Sequence, residues 1–110
     1  MRYLIASMVT AVLFFSSSTQ AKDFDYNDFC LDMAGLAETT MTMRQYGKPI
    51  TELMKENRES TKGNDWLNDI LVIYTKEAYA VPLRLSEAMK EMEISEFTNK
   101  KYLGCLAVYE

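Results

Sequence analysis

The sequence predicts an all-α domain, and three observations support that class. Residues 64–81 form the longest strongly apolar run outside the N-terminus, and their apolar side chains recur at helical spacing. Other segments with the same spacing are separated by glycine, proline and capping residues. No segment shows sustained period-2 alternation, which is the pattern of half-buried strands. We therefore expect a small four-helix domain.

Residues 1–21 have the features of a secretory signal peptide. Arg2 supplies the positive start, residues 4–15 are apolar, and residues 16–21 are small and polar, as cleavage regions are. Cleavage leaves residues 22–110 as a single helical domain. An uncleaved anchor is the alternative, because residues 3–21 are uncharged and just long enough to cross a bilayer.

Composition argues for binding rather than catalysis. Residues 22–110 carry 11 basic and 16 acidic side chains, a net charge of −5. Nucleic acids and anionic lipid surfaces are recognised by an excess of Lys and Arg, so neither is an expected partner. The chain has no histidine, the commonest general base and metal ligand. We expect no metal or cofactor, and a glycosidase-like pair of carboxylates is the remaining enzymatic alternative.

The first two helices are bounded by turn residues. The first is expected over residues 26–46, because Gly47 suits the position after a helix and Pro49 follows. One face of this helix carries Phe29, Cys30, Met33, Leu36, Ala37, Thr40 and Met43. A short second helix is expected over residues 49–59, with Pro49 pre-set for its first turn.

The third helix is expected from Asn64 or Asp65, as N-cap, to about Ala80, because Pro82 restricts the residue before it. At 100° per residue its apolar stripe covers roughly 160°, the width of a helix buried against two neighbours. The stripe consists of Trp66, Leu67, Ile70, Leu71, Ile73, Tyr74 and Ala78.

Two charged residues lie on apolar faces. Glu77 falls within the stripe of the third helix, and Arg44 falls within that of the first. A buried carboxylate is costly unless it meets a cation or several donors. We therefore predict a buried Arg44–Glu77 ion pair between the two helices, with Arg84 as the alternative cation.

The C-terminal part is expected to be helical over residues 83–93, followed by a last helix over residues 96–109 capped by Ser95. The chain has two cysteines, Cys30 in the first helix and Cys105 in the last. An exported chain with two cysteines most often pairs them, and the absence of a C-x-x-C motif argues against a redox pair. We predict that a structural disulfide closes the domain.

Aromatic residues suggest where a partner could bind. Val72 and Tyr79 lie on the outer side of the third helix, and Tyr102 and Tyr109 widen the apolar surface of the last. Either another helix covers the outer side of the third helix, or these residues form a partner-binding patch with aromatic anchors. The four are our candidate binding residues.

The order of features along residues 22–110 resembles a group of small exported proteins of tailed phages, prophages and their proteobacterial hosts. The residues that carry the resemblance are Cys30, Leu36-Ala37, Met43-Arg44-Gln45, Gly47, Glu77-Ala78-Tyr79, Pro82, Ile94, Phe97, Tyr102 and Cys105. The resemblance implies a periplasmic helical domain with a terminal disulfide. It brings no established activity and no catalytic residues.

We expect an exported, periplasmic interaction protein that binds a protein partner in the cell envelope. It could modulate or inhibit an envelope enzyme or receptor, and a basic partner would suit its acidic surface. The alternative is a membrane-tethered regulator of the lysis-control type that retains its signal segment. A small carboxylate-dependent hydrolase is the third hypothesis.

Overall fold

The computed structural model describes residues 24–110, and the signal segment predicted over residues 1–21 lies outside them. The described part contains four α-helices and no β-strand: α1 (Tyr26–Gln45), α2 (Ile50–Ser60), α3 (Asp65–Tyr79) and α4 (Glu87–Tyr109). The predicted all-α, four-helix class is confirmed. None of these four helices is both long and apolar enough to cross a membrane.

Side-chain caps decide where three of the helices begin. The Asp25 carboxylate accepts hydrogen bonds from the Asn27 and Asp28 backbone N–H groups, at 3.1 and 3.2 Å. Asn64 caps α3 in the same way, accepting from the Leu67 N–H at 3.1 Å. Each cap satisfies donors that the first helical turn leaves free. The predicted Asn64 cap and the predicted bounds of α1, α2 and α3 agree with the structure to within one or two residues.

The C-terminal helix differs from its prediction. One continuous helix, α4, replaces the two expected over residues 83–93 and 96–109, and Ser95 lies inside it. Ser86 is the cap, since its hydroxyl accepts from the Met89 N–H at 3.2 Å. The prediction was wrong because serine can cap a helix but does not interrupt one. Ile94 and Phe97, on either side of Ser95, are both buried and hold the helix against the core.

The core lies on α1, which contacts both α3 and α4, while α2 packs on α3. Small residues on α1 allow close approach: Ala37 is fully buried and Ala34 nearly so. The central cluster of buried side chains consists of Met33, Ala37, Met41, Tyr74, Ala78, Ile94 and Phe97. Burial of these apolar side chains supplies the main driving force for folding.

A disulfide joins α1 to α4 near the start of one helix and the end of the other. Cys30 and Cys105 are bonded, with their Cα atoms 5.6 Å apart and a sequence separation of 75. Cys30 is fully buried beneath the bond. The predicted disulfide is confirmed, and it closes nearly the whole described domain.

Gln45, the last residue of α1, organises the connection between α3 and α4. Its side chain is fully buried, donates to the Pro82 carbonyl at 3.0 Å, and accepts from the Arg84 N–H at 2.9 Å. The Lys90 ammonium donates to the backbone carbonyls of Gln45 and of Arg84. These bonds satisfy the Pro82 and Arg84 carbonyls and the Arg84 N–H of a connector that has no regular structure.

The predicted Arg44–Glu77 ion pair is wrong. Arg44 instead donates to the Val81 carbonyl at 3.0 Å and stacks its guanidinium over the Tyr79 ring, 5.2 Å from the centroid. Glu77 pairs with Lys101 on α4, and its side chain is 47% exposed. The alternative cation, Arg84, pairs with Glu93 at 2.6 Å.

The prediction failed because the apolar stripes of α1 and α3 do not face each other at the positions of Arg44 and Glu77. Counting 100° per residue places Glu77 on the α3 stripe, but the edge of that stripe meets solvent and α4, not α1. A half-exposed carboxylate has no need of a buried cation, because water still solvates it.

Removal of the disulfide should lower the free energy of unfolding by about 4–5 kcal/mol, the chain-entropy value for a loop of this length. We expect Cys30→Ser/Cys105→Ser to unfold at a much lower urea concentration than the oxidised protein. Urea titrations followed by circular dichroism would measure the unfolding midpoints of the two proteins. Equal midpoints would show that the bond does not constrain the unfolded chain.

Gln45→Met should lower the free energy of unfolding by roughly 2–4 kcal/mol. The thioether has nearly the same shape, but it leaves the Pro82 carbonyl and the Arg84 N–H without their partner. Thr42→Val is the control, because the Thr42 hydroxyl bonds only the Glu38 carbonyl of its own helix. If both variants have the same urea midpoint as the wild type, Gln45 does not stabilise the connector.

Candidate functional site

An open cleft of about 540 Å³ lies between α3 and α4, with α1 as its floor. Phe29 and Met33 of α1 form the floor, and Trp66, Ile70 and Tyr74 line the α3 side. The α4 side is formed by Lys100, Lys101, Gly104, Cys105, Val108 and Tyr109. We call this the aromatic cleft. Its volume lies within the range of small-ligand and peptide pockets.

One end of the aromatic cleft is a group of aromatic rings in mutual contact beside the disulfide. Phe29 lies 5.9 Å from Trp66 and 6.3 Å from Tyr109, measured between ring centroids. Phe24 contacts both Phe29, at 5.7 Å, and Tyr109, at 5.5 Å. Tyr26 stacks on Tyr109 at 5.4 Å. The rings hold one another in place, so this end of the cleft is preformed.

The aromatic and aliphatic side chains around this end of the cleft remain accessible to solvent. Trp66 is 53% exposed, Phe24 is 61% exposed and Val108 is 77% exposed. Aromatic and aliphatic groups of this size, gathered around a concave surface, are the usual mark of an interaction site on a soluble protein. Trp and Tyr are also the residues that contribute most binding energy at protein interfaces.

The opposite end of the cleft is polar. Lys101 pairs with Glu77 and lies over the rings of Tyr74 and Phe97, 5.5 and 5.4 Å from their centroids. Burial raises the pKa of the Tyr74 phenol, and the nearby Glu77 carboxylate raises it further. Tyr74 is therefore neutral at physiological pH, and the cleft wall presents an uncharged ring next to one ion pair.

Gly104 leaves the α4 side of the cleft open. A Cβ atom at this position would meet nothing within 4 Å, so packing does not require a glycine there. A glycine inside a helix costs about 0.5–1 kcal/mol relative to alanine. Its effect here is to give an occupant access to the α4 backbone.

Only part of the predicted binding surface lies at this site. Tyr109 lines the cleft, and Tyr102 lies near its aromatic end, where its hydroxyl donates to Asn27 at 2.5 Å. Tyr79 lies far away, with its hydroxyl bonded to the Lys48 carbonyl at 2.5 Å. Burial raises the pKa of Tyr79, with Arg44 and Lys48 opposing that effect.

Val72 and Tyr79 belong to the face of α3 that α2 covers. Asn57 of α2 donates to Thr75, and Thr61 donates to Asn68, so this face of α3 carries hydrogen bonds to the α2 segment. Helical spacing places Val72 and Tyr79 on the same face, and both are half-buried. The alternative in which another helix covers this face is the one observed. The four candidate residues therefore do not form one patch.

Sequence reasoning missed Trp66 as a surface residue. It was assigned to the buried stripe of α3, along with Ile73, yet both are at least half exposed. The stripe is wide enough for two neighbours, but α1 and the edge of α4 cover only part of it, because α2 packs on another face of α3. In the sequence, the feature that could have indicated an open cleft is the width of this stripe, which is greater than its neighbours can cover.

Among residues 24–110, no group of three or more His, Cys, Asp or Glu side chains is arranged to hold a metal ion. Comparison of the chain with protein-family models, curated proteins and solved structures yields no match.

Gly104→Ala should raise the free energy of unfolding by about 0.5–1 kcal/mol, because it lowers the entropy of the unfolded chain and the methyl group enters open space. Gly35→Ala is the matched control: Gly35 lies inside α1, on its exposed side, and its Cβ would also meet nothing within 4 Å. Thermal unfolding would be measured for both variants and for the wild type. A loss of stability in Gly104→Ala alone would mean that the cleft is narrower than described.

Proposed function

We propose that residues 22–110 act in the cell envelope as a non-enzymatic interaction module, which binds a protein partner through the aromatic cleft and so modulates that partner. The observation that carries the proposal is the open, apolar cleft between α3 and α4, with exposed Trp66 and Val108 on its rim. Water contact with such a surface is unfavourable, and a partner that covers it gains that free energy.

Export is supported by two features. Residues 1–21 have the pattern of a secretory signal. The Cys30–Cys105 bond is of the kind that persists in oxidising compartments such as the periplasm. The module is small, and a disulfide that closes so long a loop adds to its stability.

Binding is favoured over catalysis by the chemistry of the cleft. Its lining is mostly aromatic and aliphatic, and its two lysines lie at one end, with Lys101 held by Glu77. A glycosidase-type mechanism needs two carboxyl groups facing one substrate. No carboxyl group is among the residues that line the aromatic cleft.

The partner's charge follows from the surface of the module. With a net charge of −5 over residues 22–110, association with a basic partner is accelerated by electrostatic attraction. Salt screens this attraction over about 8–10 Å, so the association rate should fall as salt is raised. The dissociation rate, set by the apolar cleft, should change much less.

Gly104→Leu tests the site, because it places a bulky side chain on the α4 side of the cleft, where an added Cβ atom meets nothing within 4 Å. Gly35→Leu is the matched control on the exposed side of α1. Residues 22–110 of each variant would be immobilised and exposed to a periplasmic extract, and the retained protein would then be titrated. We expect wild type and Gly35→Leu to bind alike, and Gly104→Leu to bind at least about tenfold more weakly. Equal binding by all three would place the partner elsewhere on the module.

A further inference from the structure

We propose that residues 82–86, in the connector between α3 and α4, bind as an extended strand in the substrate cleft of a serine endopeptidase with an apolar primary pocket. This surface lies apart from the aromatic cleft. Ser86, at the start of α4, is about 21 Å along the helix from Lys100, the nearest α4 residue that lines the cleft. Binding by the connector goes beyond the proposed function and does not depend on it.

One edge of the connector is held against the core. The Gln45 amide donates to the Pro82 carbonyl at 3.0 Å and accepts from the Arg84 N–H at 2.9 Å. The residue between these two groups is Leu83, so the amide pairs with the connector as a neighbouring strand would. The Arg84 carbonyl accepts from the Lys90 ammonium at 2.7 Å. This edge is therefore fixed before any partner binds.

The other edge of the connector is open. In an extended chain, successive residues direct their backbone groups to opposite edges. The N–H and C=O groups of Leu83 and Leu85 thus lie on the edge away from Gln45. Among residues 24–110, no donor or acceptor bonds any of these four groups. Main-chain hydrogen bonds to such an edge are the way in which many binding proteins hold an extended segment.

The side chains on the open edge are two leucines with the spacing of a strand. Leu85 is 95% exposed and Leu83 is 43% exposed. Side chains two residues apart in a strand point to the same face. Arg84, between them, belongs to the opposite face and pairs with Glu93 at 2.6 Å. The face offered to a partner is therefore apolar, uncharged and protruding, and it fits a concave apolar pocket.

The substrate cleft of a serine endopeptidase matches these features. It binds a segment inside a chain, whereas sites that capture a chain end need a free terminus. Its primary pocket is a hydrophobic slot in chymotrypsin and contains a carboxylate in trypsin. Because neither exposed side chain is charged, the hydrophobic slot is the one that fits. We assign Leu85 to this pocket and Leu83 to the contact two residues before it.

The connector is built to be bound rather than readily cut. Pro82 restricts the backbone, and the hydrogen bonds to the core order the segment in advance, so binding costs little conformational entropy. Beyond Leu85 the chain turns into α4, where the Ser86 hydroxyl caps the helix by accepting from the Met89 N–H at 3.2 Å. A helix does not follow the extended path of a substrate beyond the cleaved bond. We therefore expect inhibition of the enzyme.

Chymotrypsin is the probe for the test. Residues 22–110, with the disulfide formed, would be added to the enzyme, and initial rates would be measured on a short chromogenic peptide below its KM. With about 10 µM of the module we expect a competitive, roughly tenfold loss of rate, which corresponds to an inhibition constant of about 1 µM. Trypsin, assayed on its own substrate, should keep its full rate. Mass spectrometry would show whether the bond after Leu85 stays intact.

Substitutions at one position make the test specific. Leu85→Asp should abolish the inhibition, because a charge entering an apolar pocket is strongly disfavoured. Leu103→Asp is the matched control, since Leu103 is a leucine of α4 that is 62% exposed and does not line the aromatic cleft. It should inhibit like the wild type. Leu85→Lys should lose the inhibition of chymotrypsin and lower the rate of trypsin about tenfold instead.

The proposal is overturned if the wild type leaves the chymotrypsin rate unchanged, or if the bond after Leu85 is cut as fast as in the reduced, unfolded chain. Inhibition that survives Leu85→Asp would also overturn it, because another segment would then occupy the enzyme. A Leu85→Lys variant without effect on trypsin would show that this side chain does not enter the primary pocket. Gly104→Leu should inhibit chymotrypsin like the wild type, so failure of the connector and failure of the aromatic cleft are separate results.

Discussion

The fold depends on α4 being fastened antiparallel to α1 at both ends. At one end Cys105 is bonded to Cys30, and at the other the Lys90 ammonium donates to the Gln45 carbonyl. Each helix spans 15 residues between its two attachments, or about 22 Å. Because the two spans are equal, both attachments can form on straight helices. Ile94 and Phe97 lie between the two attachments and are buried.

In the same arrangement, the neighbouring helices bury only part of the wide apolar stripe of α3. It rests on α1 through Tyr74 and Ala78, and α2 packs against its other face. Near Glu77 this helix meets α4 through the Lys101 ion pair, but around Trp66 it stands apart from α4, and the aromatic cleft fills the space between them. A fourth long helix at that position would complete a bundle, since bundles bury a core on every side. The short α2 is placed elsewhere, so Trp66 and Ile73 keep solvent contact. One side of α3 is thus open because α2, the shortest of the four described helices, packs against a different face of it.

The errors of the sequence analysis have one physical origin. Helical spacing gives the direction of a side chain around its own axis but not what stands opposite it. Arg44 and Glu77 each lie on an apolar stripe, yet the first faces the Val81 carbonyl and the second faces Lys101. Gln45 shows the converse. Its polar amide does not suggest a buried position, but the connector that follows α3 supplies an acceptor and a donor for that amide.

The sequence by itself determined the helical class, the bounds of α1, α2 and α3, and the cysteine pair. These depend on caps, on glycine and proline stops, and on the presence of two cysteines in a chain with the pattern of an export signal. It also contained the residues of the aromatic cleft, but as parts of separate stripes on three helices. Only the tertiary structure decided that Phe29, Trp66 and Tyr109 meet around an open space, and that Val72 and Tyr79 are covered by α2. Burial is a property of the pairing between helices, and that pairing is set by contacts between residues far apart in the chain.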